Sequence, residues 1–260
     1  MAVPMLTRRE VSRSMPPTSF LRLANCDRLT ESTTLDTMAC DARAALVAEL
    51  ACSDMRVWPS MEVISVEETY DACISLGRQC GFEEEHCRQD ARLAVWLFDL
   101  TADLHQLGDE SRDLLFCAGL LHDIGYVEGY WGHHKTAYRL IMEADFPGLT
   151  KREKQIVANV ARYHRGAKPK LSHKGFAALD PDDRDIVTML GALLRLADGL
   201  DRGHISAVED LDAQLDGDRL TILVDCPLGC GTEVWAGEKK GRFLGRVLDV
   251  RVQVRERLQT

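Results

Sequence analysis

The sequence predicts a mainly α fold with a small α+β appendage at the C-terminal end, on three observations. Between about residues 65 and 200, apolar residues recur at helical spacing, punctuated by helix-start and helix-stop residues. After about residue 204 the period changes. Leu220, Ile222 and Val224 alternate with mostly polar residues, and so do Val250, Val252 and Val254, which marks strands with one buried face. The composition, 45% hydrophobic and 28% charged over 260 residues, supports one substantial core plus an appendage and excludes global disorder. The longest apolar run, residues 114–121, is about eight residues against the roughly 20 of a membrane span, so no membrane partner is expected.

Each element follows from local signals. Ser65 and Glu68 form a capping box that opens a helix towards Cys80, and Gly81 ends it. Glu83, Glu84 and Glu85 favour a second helix start through the dipole. That helix is expected to continue to about residue 107, with Leu93, Leu97, Leu100 and Leu104 on one face. A third helix is predicted over 110–122, stopping near Gly125, followed by an aromatic, glycine-punctuated loop over 126–132. A fourth begins near His134 and is finished by Pro147 and Gly148. Thr150 and Glu153 form another capping box, for a helix that reaches Tyr163 or His164. Asp180 and Pro181 give an N-cap with proline at the first helical position, for a helix extending to Gly199. The expected organisation is an N-terminal extension over 1–60, partly disordered and with a helix over 41–51, a helical domain over 61–203, and a small β-containing domain over 204–260.

Charge and cysteine usage narrow the function classes. A net charge of −9, from 41 acidic against 32 basic residues, disfavours extended nucleic-acid binding. Nine cysteines, an odd number at irregular spacing, fit reduced thiols and a cytoplasmic location better than a disulfide framework. Cys226 and Cys230 are read as an ordinary pair rather than a redox or half-metal site. Arg8, Arg9, Arg13 and Arg22 lie near the start with no apolar stretch after them, so a secretory signal is not expected.

Chemistry concentrates where the helices turn inward. His164 follows Val160 by four residues and Val157 by seven; Asp198 follows Leu194 by four. His122 follows Ala118 and Leu115 on its helix, and His86 precedes Leu93, Leu97 and Leu100 on another. Four helices therefore aim an imidazole or a carboxylate where Leu or Val belongs. An ionised group buried without a partner costs several kcal/mol, so the set needs a common partner. Taken singly, each residue has an ordinary reading: a hydrogen-bonded core histidine, a helix terminus at Asp198, a capped turn at His122 and Asp123. Taken together they point to one or two divalent ions, from Mn, Fe, Ni, Co or Zn, with Mg also admissible. His133 and His134 add two nitrogens at a helix start ten residues after Asp123. An adjacent His-Asp pair lets the carboxylate bridge two cations while the imidazole binds one, an arrangement that activates water for phosphoester hydrolysis.

His86, then His122-Asp123, then Asp198 reproduce the H…HD…D order of the HD-domain phosphohydrolases, the helical bundle that this likeness implies. Residues 120–125 (LLHDIG), 132–135 (GHHK), 161–165 (ARYHR) with Pro169-Lys170, and 194–202 (LRLADGLDR) closely resemble the C-terminal HD region of the exopolyphosphatase/guanosine pentaphosphate phosphohydrolase family. The resemblance covers about residues 62–255. The actin-like phosphatase part of that family, with its glycine-rich phosphate loops, has no counterpart in the sequence. Exopolyphosphatase activity is therefore not carried across, and the expectation rests on the His/Asp set. The resemblance implies one ion held by His86, His122, Asp123 and Asp198, and a second held by Asp123, His133 or His134, and His164, with His133 preferred. Asp90 stands where relatives usually carry an apolar residue, either orienting His86 or exposed. Thr136 replaces a further histidine.

Arg162, Arg165, Lys168 and Lys170 lie in a stretch free of acids from 162 to 178, and with Lys135 and Arg202 they are candidates for holding substrate phosphates. The other reading of that stretch is a solvated loop. His105, His173 and His204 are read as ordinary residues. The expected function is hydrolysis of a nucleotide or polyphosphate-type phosphoester or phosphoanhydride, with Asp123 central and His133, His134 or Lys135 donating a proton. The partner is a small phosphorylated substrate, and a homodimer is implied by the resemblance alone. Two rivals stand beside this expectation: a non-catalytic ligand-binding or dimerisation module, and a di-iron oxygenase.

Overall fold

Cap chemistry sets the helix starts. In the computed structural model, which describes residues 65–257, the hydroxyl of Ser65 accepts from the Glu68 amide at 3.2 Å while Glu68 accepts from the Ser65 amide at 2.7 Å. This box opens helix α1, Val66–Gln79. The N-terminal extension over 1–60, with its expected helix over 41–51, lies outside the described residues. Helix α2 covers Glu84–Leu100 and is shorter than expected. Thr101 turns its hydroxyl back onto the Leu97 carbonyl at 2.7 Å, and a separate short helix α3, Ala102–His105, follows. Helix α4 is Asp109–Leu121, and a 3₁₀ turn, Ile124–Glu128, takes up part of the expected aromatic loop. Helix α5 is His133–Glu143. The Thr150–Glu153 box opens α6, Lys151–Tyr163. A short α7, Lys174–Ala177, precedes α8, Pro181–Leu200.

Helices α2, α4, α6 and α8 pack around one core. Leu93, Leu97, Leu115, Val157, Val160, Leu190 and Leu194 are fully buried in it. Truncating one such leucine to alanine costs about 2–5 kcal/mol. His86, His122, His164 and Asp198 lie on the same stripes and are also buried.

The tail holds a three-stranded sheet: β1, Asp210–Asp216, β2, Arg219–Asp225, and β3, Arg251–Glu256. β1 pairs antiparallel with β2, with Ala213 opposite Ile222; β2 pairs parallel with β3, with Ile222 opposite Val254. Of the residues expected to face inward, Leu220, Ile222, Val224 and Val254 are buried, whereas Val252 is half-buried and Val250, also half-buried, precedes β3. A parallel pair needs a crossover, and helix α9, Gly231–Val247, supplies it. Helix α9 also lies along α8. Reduced cysteines are found at Cys73, Cys80, Cys87 and Cys117. Contrary to expectation, Cys226 and Cys230 are joined as a disulfide. Gly229, at φ +83°, donates its amide to the Cys226 carbonyl at 2.9 Å, and this turn brings the two thiols together. No helix among the described residues is long and apolar enough to cross a membrane.

Candidate metal centre

The bundle carries its polar residues to one point. Four imidazoles are locked by their outer nitrogen: Nδ1 of His122, His133 and His164 hydrogen-bonds to the carbonyls of Gly119, Tyr130 and Ala161 at 2.7, 2.9 and 2.7 Å. The Nδ1 of His86 meets the Asp201 carboxylate at 2.8 Å. Fixing Nδ1 on the outside leaves Nε2 of every ring facing the interior, which is how ligating histidines are held.

Asp123 lies between these rings, and its two oxygens face different pairs. Oδ2 is 3.5 Å from His122 Nε2 and 3.7 Å from His86 Nε2. Oδ1 is 3.2 Å from His133 Nε2 and 3.5 Å from His164 Nε2. Gly125 makes this possible, because a Cβ there would overlap the His133 carbonyl oxygen and crowd the Ala137 amide. Only glycine lets the start of α5 close onto the turn that carries Asp123.

Two ligand sets result. His86, Asp90, His122 and Asp198 offer atoms within 4.8 Å of one another, and so do His122, Asp123 and His164. These buried groups can hold a metal ion. Asp90 is fully buried, one helical turn after His86, with Oδ2 3.4 Å from His122 Nε2. Its exposed alternative is thereby excluded. His86 Nε2, both oxygens of Asp90, His122 Nε2 and Asp123 Oδ1 are buried without a hydrogen-bond partner. An unsatisfied buried polar group costs about 1–3 kcal/mol, more when charged, and a divalent cation is the partner that suits imidazole and carboxylate at once.

The electrostatics follow from burial and mutual proximity. Burial lifts Asp90 well above the ordinary carboxyl range, against the pull of His86. Burial would lift Asp123 as well, but His122, His133 and His164 overcome it and hold that carboxyl below its usual value. Burial, aided by His122, lowers His164 to about 3, leaving a neutral imidazole. Burial acts to lower His86 too, yet Asp201, Asp90 and Asp123 push it up to about 9. Asp198 is held at about 2: burial opposes ionisation, and Lys240, His164 and His122 outweigh it.

A cavity of about 470 Å³ opens onto Asp123, His164 and Asp198. Its bundle side carries Arg165, Lys168, Arg195 and Arg202, three of them anticipated as phosphate ligands. Arg165 Nη1 also lies 3.3 Å from His133 Nε2. The opposite wall belongs to α9, with Trp235, Lys239, Lys240, Phe243 and Arg246. Lys135, Arg162 and Lys170 do not line the cavity; Arg162 lies over the rings of Tyr138 and Tyr163, 5.5 and 5.8 Å away. His134, half-buried and lowered to about 4 by burial and by His133, joins neither ligand set.

Several residues at the site carried no clear signal in the sequence. Asp201 lies three residues after Asp198, one turn along, and that spacing was the available signal. His204, read as ordinary, stacks on His86 with ring centroids 3.6 Å apart and bonds Glu83 at 2.8 Å. The α9 residues had no motif to announce them.

A family model described as Ppx/GppA phosphatase, domain III, matches residues 71–226, more than half of the chain. The matched stretch contains every residue of both ligand sets and ends before α9. A search of curated proteins found no match. The chain therefore belongs to the Ppx/GppA phosphatase domain III family.

Proposed function

We propose that the chain is a metal-dependent phosphohydrolase of HD type, cleaving a phosphoester or phosphoanhydride of a nucleotide or polyphosphate-type substrate. The family supplies the reaction class, since phosphatases are hydrolases. One observation carries the rest: buried, partnerless His and Asp atoms converge at the foot of a cavity whose walls are cationic.

His86, Asp90, His122 and Asp198 would hold one ion, and Asp123, His133 and His164 a second, with Asp123 turning an oxygen to each side. Such ions polarise phosphoryl oxygens and make water a competent nucleophile near neutral pH. The chain's own residues do the remaining work. Asp201 and three backbone carbonyls keep the imidazoles aimed, so no reorientation is needed when substrate arrives. Arg165, Lys168 and Arg202 bind non-reacting phosphates by charge-assisted hydrogen bonds. Tyr126, stacked on His133 with centroids 4.0 Å apart, braces that ring at the edge of the cavity.

The test is phosphate release by Mn²⁺-loaded protein from nucleoside triphosphates and from inorganic tripolyphosphate, beside Asp123→Ala. Release from either substrate, lost in the variant, is expected. Equal rates in the two proteins would contradict the proposal. Metal uptake without any release would favour the rival ligand-binding module.

A further inference from the structure

Lys240 presents an ammonium group inside the candidate metal centre. It pairs with the Asp198 carboxylate, which belongs to the ligand set of His86, Asp90 and His122. Among the described residues, the ion-pair contacts of Asp90 and Asp123 are all with imidazoles, and that of Asp198 is with Lys240. The side chain of Lys240 is 23% exposed and that of Asp198 is 11% exposed, so the pair is shielded from bulk water and from much of the screening that weakens surface ion pairs.

The placement is built into the packing of two helices. A Cβ on Gly199 of α8 would come within 3.1 Å of the Ala236 carbonyl oxygen, of the Gly237 Cα and of the Lys240 side chain. A Cβ on Gly237 of α9 would lie 2.7 Å from Leu200. Glycine on both helices brings their backbones together, and at that separation Lys240 reaches across to the residue just before Gly199. Lys239, the preceding residue, stays exposed on the outer wall with its Nζ 5.0 Å from the Trp235 ring.

We propose that Lys240 is a competing cation for Asp198: a divalent ion and the Lys240 ammonium oppose each other at this carboxylate, and the lysine displaced from it becomes a ligand for substrate phosphate. This rests on the metal-centre reading above. The geometry makes the two roles exclusive in sign. A fixed positive charge beside a cation site lowers the affinity for that cation, while the same charge on the cavity wall raises the affinity for an anion. By linkage, whatever the ion loses to Lys240, the Lys240–Asp198 pair loses to the ion.

The experiment compares wild type, Lys240→Gln, Lys240→Arg and Lys239→Gln in the full chain. Mn²⁺ affinity is measured by titration calorimetry, and tripolyphosphate affinity on Mn²⁺-loaded protein. Lys240→Gln keeps a hydrogen-bond donor and removes the charge. It is expected to bind Mn²⁺ about tenfold more tightly, within the usual range for coupled sites, and to bind tripolyphosphate more weakly. Lys240→Arg should stay near wild type in both, and Lys239→Gln should weaken tripolyphosphate alone. Thermal midpoints with and without Mn²⁺ supply a readout for the pair itself: Lys240→Gln should be the less stable without the ion and recover with it. Unchanged or weaker Mn²⁺ binding in folded Lys240→Gln would overturn the proposal. Wild type that takes up no Mn²⁺ would overturn the metal reading beneath it.

Discussion

The two faces of the cavity are made of opposite materials. The foot, built by α2, α4, α5, α6 and α8, is imidazole and carboxylate, buried and held by hydrogen bonds from every His Nδ1. The wall on α9 is lysine, arginine and tryptophan; Trp235 is 61% exposed, and Lys239 and Arg246 reach solvent. Rigid, dehydrated donors of fixed direction suit a cation that demands a defined ligand set. Long, solvated cationic side chains suit an anion whose shape and length vary. The family match has the same boundary, covering the foot and stopping short of α9. The matched stretch also contains Arg165, Lys168, Arg195 and Arg202 on the bundle side of the cavity.

Breaking the foot should have the largest effects. Asp90→Leu should remove a ligand and lower metal uptake. It should also raise the unfolding midpoint of the metal-free protein, because a buried carboxylate without a partner is replaced by a residue at home in the core. Calorimetry in the presence and absence of Mn²⁺ reads both; a midpoint that falls in the metal-free protein would break the account of Asp90. Asp201→Ala leaves every ligand in place but frees the His86 ring, and a loss of about 10–100-fold in metal affinity is expected, the usual range for such orienting partners. An unchanged Mn²⁺ titration would show that Asp201 does not orient His86.

Under the proposal, protons should compete with metal at the foot and not at the wall. Asp90 is held above its ordinary value and His86 at about 9, and both must be deprotonated to ligate. The sign is therefore fixed: metal affinity should climb with pH through neutrality and level off near 9. An affinity that stays flat or falls across that range would contradict it. The wall should give the smallest effect. Arg246→Ala should weaken tripolyphosphate binding by roughly 1 kcal/mol or less, as expected of an exposed charge, and the difference should shrink as salt is added. Mn²⁺ titration of this variant should match wild type, and a change there would erase the distinction between the two faces.

The same contrast explains what was legible in the sequence. His86, His122, His164 and Asp198 could be read because helical spacing placed polar residues where leucine belongs, Asp123 because it adjoins His122, and the structure gathers them together. Their roles as ligands remain part of the proposal. Helix α9 could not be read. Gly237, Gly241 and Gly245 recur along it, and glycine lowers helix propensity by up to about 1 kcal/mol per residue. Those glycines are there because a Cβ would meet Leu200, Val252 and the Val250 carbonyl, a tertiary requirement invisible to local pattern. The stacking of His204 on His86 likewise depends on a contact made only in the fold.

The central claim is that Asp123 is shared by two ions. The most direct measurement is metal content per chain by elemental mass spectrometry, on protein purified without a metal-leaching tag and then loaded with Mn²⁺, beside Asp123→Ala. Close to two ions in wild type, largely lost in the variant, is the predicted result. An Asp123→Ala protein that stays folded and retains the wild-type metal content would contradict it.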